Sequence, residues 1–318
     1  MNWKTFDTPI TETGDALVGP WRTPMQMLTA QVYDEHASIH DDSTAQKFGF
    51  QGGAIEGPTH FSQFAPLCEH LWGKAWFEAG CISAHYRNPS FAGEEVQAFV
   101  TKPAEGQNQV NIRMTKRDGT EVLRGSASVG THAVPSALDQ RLTELKPLRD
   151  PVVLRDVKVG MTTKRQIIRM GLDQNMGALY PFSLRQKLAV ITEFSALYDA
   201  RSAENPWTRA LIPMEMLSVL FQYRSHEDRL PLRGPAVGLF ADQEIRLLRG
   251  PLFAGDDYEI EREVVAVTGS RRTESIWLRT KVFAADSSAP VATMLLNSAL
   301  IKESYAPYLK EYAELYPS

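Results

Sequence analysis

The string Pro89-Ser90-Phe91-Ala92-Gly93-Glu94-Glu95 returns as Pro251-Leu252-Phe253-Ala254-Gly255-Asp256-Asp257, 162 positions later, and nothing else in this chain of 318 residues narrows its folding options so far. A shared Pro-x-Phe-Ala-Gly-acid-acid pattern at that spacing marks two copies of one structural unit. Alternation suited to a strand follows each copy: Val96, Ala98 and Val100 in the first, and Tyr258, Ile260 and Arg262 against Glu259, Glu261 and Glu263 in the second. The glycine makes the tight turn that feeds each strand. Residues 110–115 then alternate, Asp118-Gly119 marks a hairpin, and 121–129 return. The second copy repeats the plan with 275–283, a polar turn at Asp286-Ser287-Ser288, and 292–301. Both are antiparallel meanders.

One apolar helix precedes each meander. Pro58 suits a first helical position, where its missing donor has no intrahelical use, and Phe61, Phe64, Ala65, Cys68, Leu71 and Trp72 follow at helical spacing. Pro66 removes the bond to the Ser62 carbonyl, which predicts a kink there. Pro213 occupies the matching place in the second copy, with Met214, Leu217, Leu220 and Phe221 on one face. A helix followed by a meander, twice over, predicts an α+β chain in which a curved antiparallel sheet wraps two central helices. The first unit is expected over 1–134 and a Pro-rich connector over 135–160, carrying Pro135, Pro147 and Pro151. The second is expected over 161–318. It ends in a short helix in which Tyr305, Tyr308, Leu309, Tyr312, Leu315 and Tyr316 recur at three- and four-residue spacing, so that an aromatic face packs on the body.

Composition limits the functional classes. With 43% hydrophobic and 23% charged residues the chain is too apolar for disorder. It has no apolar run near the roughly 20 residues that span a bilayer. A net charge of -4 and a pI near 6.0 argue against a nucleic-acid surface. Cys68 and Cys81 have neither zinc-knuckle spacing nor disulfide density, so both are expected reduced in the core. A soluble cytoplasmic protein is expected, with no membrane partner and with room for a homodimer.

Chemistry concentrates before the first helix, in the segment from Tyr33 through Asp34, Glu35, His36 and His40 to Gly57-Pro58. This stretch resembles the MaoC-like (R)-specific enoyl-CoA hydratases, whose motif reads Gly-Asp-x-Asn-Pro-hydrophobic-His, then an acid, an alanine, Gly-Phe and a glycine that opens the hotdog helix. Ile39 and His40 match the hydrophobe and the histidine, Asp42 the acid, Ala45 the alanine, Gly49-Phe50 the pair, and Gly57 the opening glycine. Glu35 stands in place of the catalytic aspartate, and Ala37-Ser38 in place of Asn-Pro.

The resemblance implies a double hotdog fold and a hydratase or dehydratase acting on a 2-enoyl or 3-hydroxyacyl thioester of coenzyme A or a carrier protein. It implies His40, Glu35 and Gly57 as catalytic groups, with Asp42, Gly53 and Phe50 beside the substrate. No metal and no cofactor beyond the substrate's own pantetheine is expected. The chemistry needs a carboxylate and an imidazole across one water, and an amide at a helix N-terminus for the charge that develops on the thioester oxygen.

Several readings stay open from sequence. Asp41 and Asp42 either tune His40 or cap a short helix. Arg271-Arg272 and Lys116-Arg117 either meet coenzyme A phosphates or are solvated. A thioesterase using Glu35 or Glu56 as base, and a non-catalytic thioester-binding protein, use the same parts. In the second half Ser195 takes the place of His40 and Ile212 that of Gly57, so one site per chain is expected. Residues 163–205 are candidates to wall an acyl or pantetheine tunnel.

Overall fold

The structure, a computed structural model, describes residues 3–33, 38–130, 134–285 and 287–317. Its strands are β1 (Thr11–Thr13), β2 (Ala16–Val18), β3 (Gly80–Tyr86), β4 (Val96–Thr101), β5 (Gln109–Lys116), β6 (Glu121–Val129), β7 (Gln166–Arg169), β8 (Gly238–Leu247), β9 (Asp257–Gly269), β10 (Thr273–Ala284) and β11 (Ala292–Ile301). They form one sheet in the order β1-β2-β4-β5-β6-β3-β8-β11-β10-β9-β7. The run β2-β4-β5-β6-β3 is mirrored by β7-β9-β10-β11-β8, and the halves join where β3 pairs antiparallel with β8, Ile82 opposite Ile245. Joining there gives each half's edge strand a partner and removes two exposed edges.

The repeated string works as its composition suggests. Gly93 and Gly255 both adopt the left-handed region, φ 86° and 89°, which a glycine enters without strain. On the inner face Val96, Ala98 and Val100 meet Val110, Ile112 and Met114 in one core with Phe61, Phe64 and Leu67. The short hairpin of β1 and β2 was not visible in the sequence pattern.

The first central helix differs from the kinked α-helix expected. Gly57–Phe64 is a 3-10 helix that passes into an α-helix at Ala65–Trp72. In the tighter coil the Ser62 carbonyl accepts from Ala65 N–H. Pro66 therefore falls in the first turn of the α-helix, where its missing donor leaves nothing unpaired. The second central helix, Met214–Gln222, is buried along its whole length and packs against Gly57–Phe64.

The connector covers the outer face of the sheet. Helix Ala137–Thr143, opened by a capping box of Ser136 and Asp139, sets Leu138 against Trp277 and Leu295. Further on, the Glu274 carboxylate, fully buried in β10, accepts from Val152 N–H and Leu154 N–H, both at 2.8 Å, and from Tyr308 O–H at 2.9 Å. Glu274→Ala strands three buried donors, so its unfolding free energy should fall by about 3 kcal/mol or more. An unchanged urea midpoint would show that water reaches those donors.

The terminal helix, Tyr308–Leu315, corrects the expected packing. Tyr305 and Tyr308 are buried, but Leu309 is 82% exposed, and Tyr312 reaches the surface. Tyr316 packs on the same core as Tyr305 and Tyr308 and donates its hydroxyl to Pro151 O of the connector at 2.8 Å.

Candidate active site

His40 follows a tight turn and is placed by both halves. Its backbone N–H donates to Ser38 Oγ at 3.1 Å, Ser38 donates to Gln31 Oε1, and Gln31 Nε2 donates to Leu179 O at 2.7 Å. Ile39, Ala45 and Phe50 pack on Val237, Leu239 and Ile301 of the second half. Arg272 adds a 3.2 Å hydrogen bond to Phe48 O.

The ring tautomer follows from its partner. His40 Nδ1 lies 2.6 Å from Ala54 O, and a carbonyl can only accept, so Nδ1 carries the proton. Gln26 Nε2 donates to the same carbonyl at 2.5 Å, its orientation fixed by Leu28 N–H on Oε1. Nε2 of His40 has no protein partner among the described residues. Burial pushes the imidazole below its ordinary range, which keeps it neutral and makes Nε2 a base at neutral pH.

Asp41 is the cap of helix Asp42–Lys47. Its Oδ1 accepts from Thr44 N–H at 2.8 Å and from the Ser43 and Thr44 hydroxyls, bonds that hold its carboxyl below the usual range. Asp42, expected beside substrate, instead accepts from Gly53 N–H at 2.7 Å and ties the loop together. Gly53 is also a packing residue: a Cβ there would lie 2.1 Å from His40 O. Neither Asp42 nor Gly53 lines the cavity, because each is spent on folding the His40 loop. Phe50 does line it. Glu35, with Asp34 and His36, lies outside the described residues.

The cavity itself, about 230 Å³, is bounded by His40, Phe50, Glu56, Gly57 and Tyr86 from the first half and by Tyr180 and 238–241 from the second. Gly57 opens the first central helix with Pro58 behind it, and its N–H has no partner among the described residues. A Cβ at Gly57 would lie 2.5 Å from the Tyr86 ring, so only glycine admits both that ring and close approach to the amide. Adjoining spaces of about 340 and 840 Å³ share Tyr33 and Leu179 as walls and extend toward Asn175 and Tyr223.

Sequence reasoning gave His60 no role, and the geometry shows a neutral, non-basic ring. Nε2 lies 2.9 Å from Ser90 Oγ, and burial, with the charges of Lys187 and Lys116, pushes it down to about 3. It passed over Gln26, Tyr86 and Tyr180 entirely. Glu56 entered only as a base for thioester hydrolysis, although its place directly before Gly57 was a usable signal.

At the second half's matching position the space is closed. Ser195 is fully buried and shares a hydrogen bond with Thr5 Oγ1 at 2.7 Å. Around Ile212 the side chains of Trp76, Phe77, Tyr198 and Leu252 leave about 20 Å³.

Solved structures show the same architecture. A protein of Chloroflexus aurantiacus described as a MaoC domain protein dehydratase aligns with a TM-score of 0.54 and 13% identity, over 94% of this chain and 95% of its own. A Mycobacterium tuberculosis protein described as having a double hotdog fold aligns with a TM-score of 0.50 and 11% identity, over 89% and 94%. No family model and no curated protein matches the sequence. The chain is thus a double hotdog protein, of the architecture that the MaoC-like resemblance implied.

Proposed function

We propose that the chain is a hydro-lyase that adds water to, or removes it from, an acyl thioester of coenzyme A or a carrier protein. The observation that carries this reading is the neutral imidazole of His40, whose Nε2 has no partner among the described residues, on one cavity with a Gly57 amide that likewise has none there. In the hydration direction Nε2 takes a proton from water as its oxygen adds to C3. The electron pair moves toward the thioester carbonyl, where Gly57 N–H and the helix end stabilise the oxyanion. A second group, a carboxyl on the same cavity, returns a proton to C2. Hydration moves no electrons between substrates, so it asks for no redox cofactor. The adjoining spaces would take the acyl or pantetheine arm, with 175–180 as part of the wall.

The test is product analysis with 2-enoyl- and saturated acyl-CoA esters over a range of chain lengths. Mass gain of one water on the enoyl ester, with no free thiol from the saturated one, is expected. Free thiol from the saturated ester would replace this reading with thioester hydrolysis. Binding without turnover of either would make the protein a thioester-binding module.

A further inference from the structure

Two carboxylates and one ammonium lie buried between the two central helices, where a structural role alone would favour apolar side chains. Glu56 is 6% exposed; its Oε1 has no hydrogen-bond partner among the described residues, and its Oε2 has only a 3.5 Å contact from Thr59 Oγ1. Lys187, from the second half and also buried, donates to Thr59 Oγ1 at 2.9 Å and lies 3.6 Å from Glu215 Oε1. Glu215 is fully enclosed, with no hydrogen bond to either carboxylate oxygen among the described residues. On its other side Glu56 borders the His40 cavity, where Tyr33, Tyr86 and Tyr180 all feel its charge.

We propose that Glu56 is the proton donor that partners His40, and that Lys187 and Glu215 of the second half are positioning residues that hold it in its working state. This rests on the hydro-lyase reading and names the group that serves C2. One cation cannot balance two buried carboxylates, so one proton is retained on the cluster near neutral pH. Burial, with the charge of Glu215, pushes Glu56 up to about 7 against the opposing Lys187 and Thr59, and burial pushes Glu215 up as well. His40 is pushed the opposite way. A neutral imidazole and a neutral carboxyl then face one substrate, the pairing that acid and base catalysis at one site requires.

Among the described residues the other groups on the cavity do not compete. The three tyrosines are raised by burial and stay neutral, and His60 is held neutral. Asp41 and Asp42 are occupied by the loop.

The step balances. Water gives its hydroxyl to C3 and its proton to His40 Nε2, while Glu56 gives its proton to C2. Proton exchange with solvent returns both groups to their starting forms. The second half, without a site of its own, then contributes electrostatics to the first.

The test is the pH profile of kcat/KM for hydration by the full chain, beside difference infrared titration of the carboxyl band. Activity should fall on the basic side near pH 7 as Glu56 ionises. Glu56→Gln should lose about 10²-fold or more in kcat, and a carboxyl band titrating near pH 7 should vanish with it. Glu215→Gln removes a like charge and should move the basic limb to lower pH. Lys187→Met removes an opposite charge and should move it to higher pH. If Lys187→Met does not fold, the downward shift in Glu215→Gln decides alone.

Near wild-type turnover in Glu56→Gln, or a basic limb unmoved by Glu215→Gln, overturns the assignment while leaving the hydro-lyase reading intact. Absence of hydration by the wild-type chain overturns the reading itself, and the assignment with it, even if the infrared band is found.

Discussion

His40→Ala should lower hydration of a 2-enoyl thioester by about 10²- to 10⁴-fold, the range for loss of a positioned general base. The fold should survive. Among the described residues the ring, protonated at Nδ1, donates only to Ala54 O, and Gln26 Nε2 already donates to that carbonyl, so no buried acceptor there is stranded. The stability cost should be about 1 kcal/mol. His40→Gln should be as inactive as the alanine variant, since an amide cannot take the proton from water. The measurement is loss of enoyl absorbance under saturating substrate, with a melting curve beside it. Wild-type turnover in either variant would remove His40 from the mechanism, and global unfolding would make it a structural residue.

Gly53→Ala is the second large effect expected. It touches no substrate atom. Its added methyl would lie 2.1 Å from His40 O and 3.3 Å from Asp42 Oδ1, so the loop must move and carry the imidazole with it. A displacement of about 1 Å at a catalytic group can cost on the order of 10²-fold in rate, and that loss in kcat/KM is expected here. Because the loop lies over the second half rather than inside the main core, the melting temperature should fall far less than activity. Gly57→Ala acts differently, by driving the Tyr86 ring off the helix start, where a Cβ would lie 2.5 Å from its Cζ. Full activity in Gly53→Ala would show that the loop absorbs the methyl and that His40 is not held through this contact.

The parts of the fold that were legible in the sequence were those with strictly local causes. The Gly93 and Gly255 turns, the Asp118-Gly119 hairpin and the alternating strands each follow from backbone preference and burial of one face. Strands β3 and β8 were less visible. Where the halves join, β3 runs as Gly80-Cys81-Ile82-Ser83-Ala84 with every residue buried, so the alternation that marks a strand is missing. Pro66 was read as a kink within one α-helix, whereas the tertiary structure starts the α-helix at Ala65, behind a 3-10 segment, so that Pro66 falls in its first turn.

The site divides along the same line. Its histidine, its opening glycine and the change of both residues at Ser195 and Ile212 could be read from sequence, because each belongs to one short segment, whereas the choice of Asp41 as a cap was left open there. Its electrostatics could not. Lys187 meets Thr59 across 128 positions, and Gln31 meets Leu179 across 148, so no spacing in the chain announces either contact. The sequence by itself determined two copies of one unit and which copy keeps a histidine beside a helix-opening glycine. Only the tertiary structure decided that Asp42 is spent on the loop, that Glu56 is buried on the cavity, and that the charges around it come from the other half. Protonation depends on which charges and how much water surround a group, and those are set by packing between distant segments.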